Sequence, residues 1–158
     1  MTLRSVTIDL PPPARLLLAS MPGRFEPWPE FVSHAERERL DLVLCLAPRD
    51  EVATLSPAYF NAIAQGTMPF RWLELPMANY GLPADLPGFH DGIDHAAASL
   101  RRGQRVLLHC AAGIGRTGTA AACLLKRLGL PLHEALQRVR DAGSNPENAI
   151  QSGLVERF

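Results

Sequence analysis

Short apolar runs alternate along this chain with longer segments whose apolar positions recur at helical spacing. Val6–Ile8, Arg15–Ala19, Leu42–Leu46, Phe70–Leu75 and Arg105–His109 are brief runs bounded by proline, glycine or charge, which predicts buried strands. Phe89, Ile93, Ala97 and Leu100 follow a helical period, as do Leu132, Leu136 and Val139, and then Ile150, Leu154 and Phe158. Thr117 to Leu128 is rich in alanine and leucine and ends at Gly129-Leu130-Pro131, a helix stop. Strands mixed with helices predict a single α/β domain over residues 1–158. It should have a central four- to five-stranded, mostly parallel sheet flanked by helices. Pro11-Pro12-Pro13 reads as a turn rather than a domain boundary.

Composition narrows this picture. A chain of 158 residues with 47% apolar content can bury one sizeable core. Sixteen basic residues balance sixteen acidic ones, which argues against a nucleic-acid partner held by a strong overall positive field but allows a local anion site. No apolar run approaches the ~20 residues needed to span a bilayer, and "MTLRSVTIDLPPP" lacks a signal-peptide layout. Three widely spaced cysteines do not form a disulfide framework. The expectation is a cytoplasmic, reducing setting, with no membrane or nucleic-acid partner and a monomer as the default.

The candidate chemistry lies in "VLLHCAAGIGRTGT", residues 106–119. A strand runs into His109 and Cys110, small residues follow, and Arg116 opens a helix. Gly113 and Gly115 let the backbone turn so that successive N–H groups point inward, and Ala111 and Ala112 keep the space clear. Such a concave row of donors at a helix N-terminus binds a phosphate dianion. Arg116 adds a planar fork that pairs two oxygens at once. The same positive surroundings favour a thiolate at Cys110, placing a nucleophilic sulfur beneath the phosphorus. Ligands of α/β sheets bind at the carboxyl ends of strands, where this loop should sit.

These residues resemble the His-Cys-x5-Arg-Thr/Ser signature of the protein tyrosine and dual-specificity phosphatases. "LRRGQRVLLHC" and "NPENAIQSGLVERF" extend the similarity toward small members related to kinase-associated phosphatase, with weaker likeness through "MPGRF" and "DLVLCLAPRDEV". The resemblance implies two-step hydrolysis of phosphomonoesters on phosphorylated proteins, through phosphocysteine and without metal or cofactor. Phosphate would be held by Ala111, Ala112, Gly113, Ile114, Gly115 and Arg116. Cys110 would be the nucleophile, His109 would organise the loop, and Thr117 would donate a hydrogen bond to the departing thiolate. Gln151 falls where the family has a glutamine that orients the hydrolytic water. Cys45 falls at the end of a strand where several members carry a thiol that bridges reversibly to the nucleophile. The absence of long insertions implies a shallow pocket for phosphotyrosine, with phosphoserine or phosphothreonine as further substrates. The loop lacks the lysines of phosphoinositide phosphatases, so lipid phosphates rank second.

One position departs from the pattern. Where relatives carry an acidic aspartate, "LPMANYGLPAD" has Asn79, an amide with no acidic proton. General acid catalysis contributes about 10²–10⁴-fold, so the difference matters. Asp85, in the same loop, is the nearest substitute, and Asp91 and Asp94 lie further off. Three readings stay open: Asp85 is the acid, there is none and only good leaving groups react, or the domain binds phosphate groups without useful turnover. His90, Asp91, Asp94 and His95 at helical spacing read as a solvated face rather than a metal site, and Cys123, Trp28 and Trp72 as packing.

Overall fold

The computed structural model describes residues 2–158. In chain order the elements are β1 (Arg4–Val6), β2 (Arg15–Ala19), α1 (Trp28–Glu38), β3 (Leu42–Cys45), α2 (Arg49–Leu55), α3 (Pro57–Gln65), β4 (Arg71–Glu74), α4 (Leu86–Arg101), β5 (Arg105–His109), α5 (Gly115–Arg127), α6 (Leu132–Asp141) and α7 (Ala149–Arg157). The strands form one sheet ordered β1-β2-β5-β3-β4. β2, β5, β3 and β4 are mutually parallel, and β1 lies antiparallel on the outer edge of β2. The α/β class and the mostly parallel five-stranded sheet are as expected.

Alternation along the strands sorts the core into two faces. Leu16, Leu18, Leu42, Leu44, Val106 and Leu108 point toward α4–α7, packing on Phe89, Ile93, Leu124 and Val139. Leu17, Val43 and Leu107 point the other way, onto Phe31 and Ala35 of α1. β2, β3 and β5 are therefore covered on both sides, and their sequences are continuous apolar runs because neither face meets water. Among the described residues, no helix is long and apolar enough to cross a membrane.

Two details differ from the sequence reading. The first strand is Arg4–Val6 rather than Val6–Ile8, because Val6 pairs with Leu16, one residue short of the start of β2. Beyond Val6 its partner runs out. The helices α1, α2 and α3 were not read from spacing. α1 buries only Phe31 and Ala35, and Pro27 and Pro29 at its start look like breakers. Proline is well placed there, since the first-turn N–H groups of a helix have no internal partner.

Candidate active site

β5 lies mid-sheet between β2 and β3, and the chain leaves its carboxyl end directly into the loop that starts α5. That loop is held by its carbonyls. The Cys110 carbonyl accepts from His109 Nδ1 at 3.0 Å. The Ala111 carbonyl accepts from Met21 N at 3.2 Å and from Arg24 Nη1 at 3.0 Å. The Gly113 carbonyl accepts from Ser144 Oγ at 2.6 Å and from the Arg4 guanidinium, and the Ile114 carbonyl accepts from Asn145 N at 3.2 Å and Gly118 N at 2.8 Å. With the carbonyls turned outward, the peptide planes turn their N–H groups inward. Among the described residues the N–H groups of Ala111, Ala112, Ile114 and Gly115 find no protein acceptor. The result is an anion cradle continuous with the N-terminus of α5.

Gly113 is required by this geometry. Its φ is +77°, and a Cβ there would stand 2.5 Å from the Ala19 carbonyl oxygen. At the floor of the cradle Cys110 is 2% exposed. Its sulfur accepts from Gly113 N at 3.2 Å and Thr117 Oγ1 at 3.1 Å. Two donors converging on sulfur form the pattern a thiolate accepts.

Arg116 is positioned by a residue that the sequence reading missed. Both Glu51 carboxylate oxygens accept from its two terminal nitrogens at 2.7 Å, and the Met77 carbonyl accepts from Nη1 at 3.0 Å. A guanidinium has five N–H donors, so the Nε hydrogen and one on Nη2 remain for a bound oxyanion. Burial works against the charge, but Glu51 and the Cys110 sulfur outweigh it and raise the Arg116 pKa. Glu51 comes from the first turn of α2. Only the packing of α2 over the loop reveals it.

Behind the loop His109 is fully buried. With Nδ1–H donated to the Cys110 carbonyl, Nε2 accepts from the Tyr59 hydroxyl at 2.7 Å, and that oxygen accepts from Trp72 Nε1 at 2.8 Å. Burial pushes the His109 pKa down to about 4, so the ring is neutral. This satisfied chain of side chains ties the loop to α3 and β4.

The cradle opens into a cavity of ≈440 Å³ whose rim includes Asn79, Tyr80, Arg24, Glu51, Ile114 and Glu147. Asn79 thus lies at the mouth, as its place in the motif implied. Asp85 does not. Its carboxylate caps α4 by accepting from Gly88 N at 3.1 Å and lines a separate small cavity with Glu74 and Phe89. The expectation that Asp85 reaches the reacting centre is corrected by this helix-capping role. Gln151 is fully buried, accepting from Glu147 N at 2.9 Å and donating to the Gly81 carbonyl at 3.3 Å. It braces two loops behind the rim and is not among the cavity-lining residues.

Cys45 is also corrected. It is in register with His109, so its side chain shares the α1–α3 face, against Tyr59 and Met21, while Cys110 faces the opposite core. Thiols directed to opposite faces of a sheet cannot meet without moving backbone. Burial pushes the Cys45 pKa up to about 12, which leaves it an unreactive thiol. The helix face of Asp91, Asp94 and His95 is exposed, as read, while His90 is half-buried and stacks on Phe158 with centroids 4.3 Å apart and Asp94 pairs with Arg127 at 3.0 Å.

Fold and loop together are those of a dual-specificity phosphatase domain. Residues 29–152 match the family model of the Swiss Army Knife protein DSP-PTPase phosphatase domain, and the chain belongs to that family. Its fold is similar to kinase-associated phosphatase carrying serine for its catalytic cysteine, at 18% identity over 100% of this chain and 93% of that one, with a TM-score of 0.85. Tk-PTP in its active form is 24% identical over 99% of this chain and 97% of that one, with a TM-score of 0.74. The human tyrosine phosphatase-like serine/threonine/tyrosine-interacting protein is 19% identical, covering 90% and 89%, with a TM-score of 0.70.

Proposed function

We propose that this protein hydrolyses phosphotyrosine, and secondarily phosphoserine or phosphothreonine, on protein substrates through a phosphocysteine intermediate. The observation that carries this reading is the convergence of inward N–H groups and two unspent Arg116 donors above the Cys110 sulfur. A phosphoryl group seated there has three equatorial oxygens to be stabilised, and donors fixed in advance stabilise them most in the transition state. The sulfur attacks phosphorus, the ester oxygen departs on the far side, and water then releases phosphate and restores the thiolate. The side chains at the mouth favour an aryl ester, since Tyr80 is 58% exposed and Ile114 44% exposed. The loop's inner residues offer no lysine for further phosphates of an inositol ring.

A second reading, phosphate recognition without useful turnover, is favoured by one observation, the amide of Asn79 at the cavity mouth. Aryl-phosphate hydrolysis by the wild type beside Cys110→Ser separates the two. Turnover by the wild type alone, with phosphate trapped on cysteine after acid quench, supports the hydrolase. Equal phosphate binding by both proteins with no turnover by either supports the binding module.

A further inference from the structure

The departing oxygen lies in line with the attacking sulfur, so it emerges on the solvent side of the cradle, at the rim. Two carboxylates line this cavity, Glu51 and Glu147. Glu51 is committed with both oxygens to Arg116. The Glu147 carboxylate has no hydrogen-bond or ion-pair partner among the described residues and rests directly on the loop. A Cβ built on Gly115 would come 2.1 Å from its Oε1. Its backbone is nonetheless fixed, with Glu147 N donating to Gln151 Oε1 at 2.9 Å and Asn145 N to the Ile114 carbonyl at 3.2 Å. A free carboxylate on a braced backbone, beside the cradle and at its mouth, has the reach that a general acid needs.

We propose, resting on the hydrolase reading above, that Glu147 is the catalytic acid and base in place of the amide at Asn79. In the first step the Cys110 sulfur forms the S–P bond and the P–O ester bond breaks. Its electron pair stays on the leaving oxygen, which takes the Glu147 proton. In the second step Glu147, now ionised, takes a proton from water as the water oxygen bonds to phosphorus. The S–P bond breaks and its pair returns to sulfur.

The test is Glu147→Gln, with Glu147→Asp and Cys110→Ser alongside, on a phosphotyrosyl peptide, an alkyl phosphate and para-nitrophenyl phosphate across pH. Inorganic phosphate binding is followed separately by titration. The expected result is a loss of about 10²-fold or more in kcat on the peptide and alkyl ester. The loss on para-nitrophenyl phosphate should be much smaller, because that leaving group needs little protonation. The basic limb of the kcat–pH profile should vanish, Glu147→Asp should restore part of the rate, and phosphate affinity should fall little. Equal losses on all three esters, or an unchanged profile, would overturn the proposal while leaving the Cys110 chemistry standing. Failure of the wild type on para-nitrophenyl phosphate, with Cys110→Ser binding phosphate equally well, would remove the hydrolase reading beneath it.

Discussion

The loop at 110–116 and the loop at 76–85 face each other across one cavity and differ in how much of each is buried. In the first, four carbonyls are held by Arg4 of β1, the Met21 N–H, the Arg24 side chain, His109 of β5 and the 144–145 turn, and Cys110, Gly113, Gly115 and Arg116 are buried. The second is anchored by Met77 N on the Leu46 carbonyl at 2.9 Å and by side chains of Arg116, Asn148 and Gln151 on the Met77, Tyr80 and Gly81 carbonyls, while Ala78, Asn79 and Tyr80 are exposed. Tyr80 sits at φ 61°, a left-handed conformation costing a non-glycine residue about 1–2 kcal/mol. The difference teaches where this site can change. Charge stabilisation needs many donors fixed at once, and altering one disturbs them all. A proton donor needs only one carboxyl within reach, and it can come from another segment of the rim.

The largest contrast should come from Arg116→Lys, which keeps the charge but loses the fork to Glu51 and phosphate. It should cost about 10²–10³-fold in kcat/KM on aryl phosphate. A rate near wild type would mean that the rigid loop is not where catalysis resides.

The support behind the rigid loop predicts a pH dependence. His109 has its pKa lowered in the folded state to about 4 from 6.5, so the folded protein favours the neutral ring. That contribution, on the order of 3 kcal/mol, is complete above pH 6.5 and is lost as pH falls toward 4, where the unfolded chain binds the extra proton. Urea unfolding at a series of pH values should show the fall, and His109→Gln, which cannot titrate, should flatten it. A slope unchanged by that substitution would assign the effect to other groups.

Glycine substitutions compare the two loops directly. Gly113→Ala should lower stability by about 1–3 kcal/mol and empty the anion site, since the left-handed backbone and the Ala19 carbonyl both resist a side chain. Gly81→Ala, which meets the Ala78 carbonyl oxygen at 3.1 Å without a positive φ, should be milder in thermal melts and in phosphate binding. Equal effects would erase the distinction.

The smallest effects are expected at Asp85. Asp85→Ala should cost about 1 kcal/mol by removing the cap of α4, and Asp85→Asn almost nothing, because asparagine caps as well. Neither should alter the kcat–pH profile. A lost basic limb in Asp85→Asn would return that residue to the reaction.

Local rules were enough for much of this molecule. The central strands were legible because both faces of a parallel sheet are buried, which leaves uninterrupted apolar runs such as Leu42–Cys45 and Arg105–His109. The phosphate loop was legible because its function needs consecutive residues: a sulfur, small side chains, glycines with special dihedrals and an arginine within one turn. Other features depend on long-range packing. Glu51 is separated from Arg116 by most of the sheet's connectivity and meets it only when α2 folds over the carboxyl end of β5. Sequence distance said that Asp85 was near Asn79, yet one helical cap turned its carboxylate away. Cys45 ends a strand next to the one leading to Cys110, but the pairing register decided which face each sulfur occupies. Glu147 stands well over thirty positions beyond Cys110, and only the turn before α7 carries it back to the rim. A motif written in neighbouring residues can be read along the chain, whereas a side chain's reach into a cavity depends on caps, registers and turns that exist only once the chain has closed on itself.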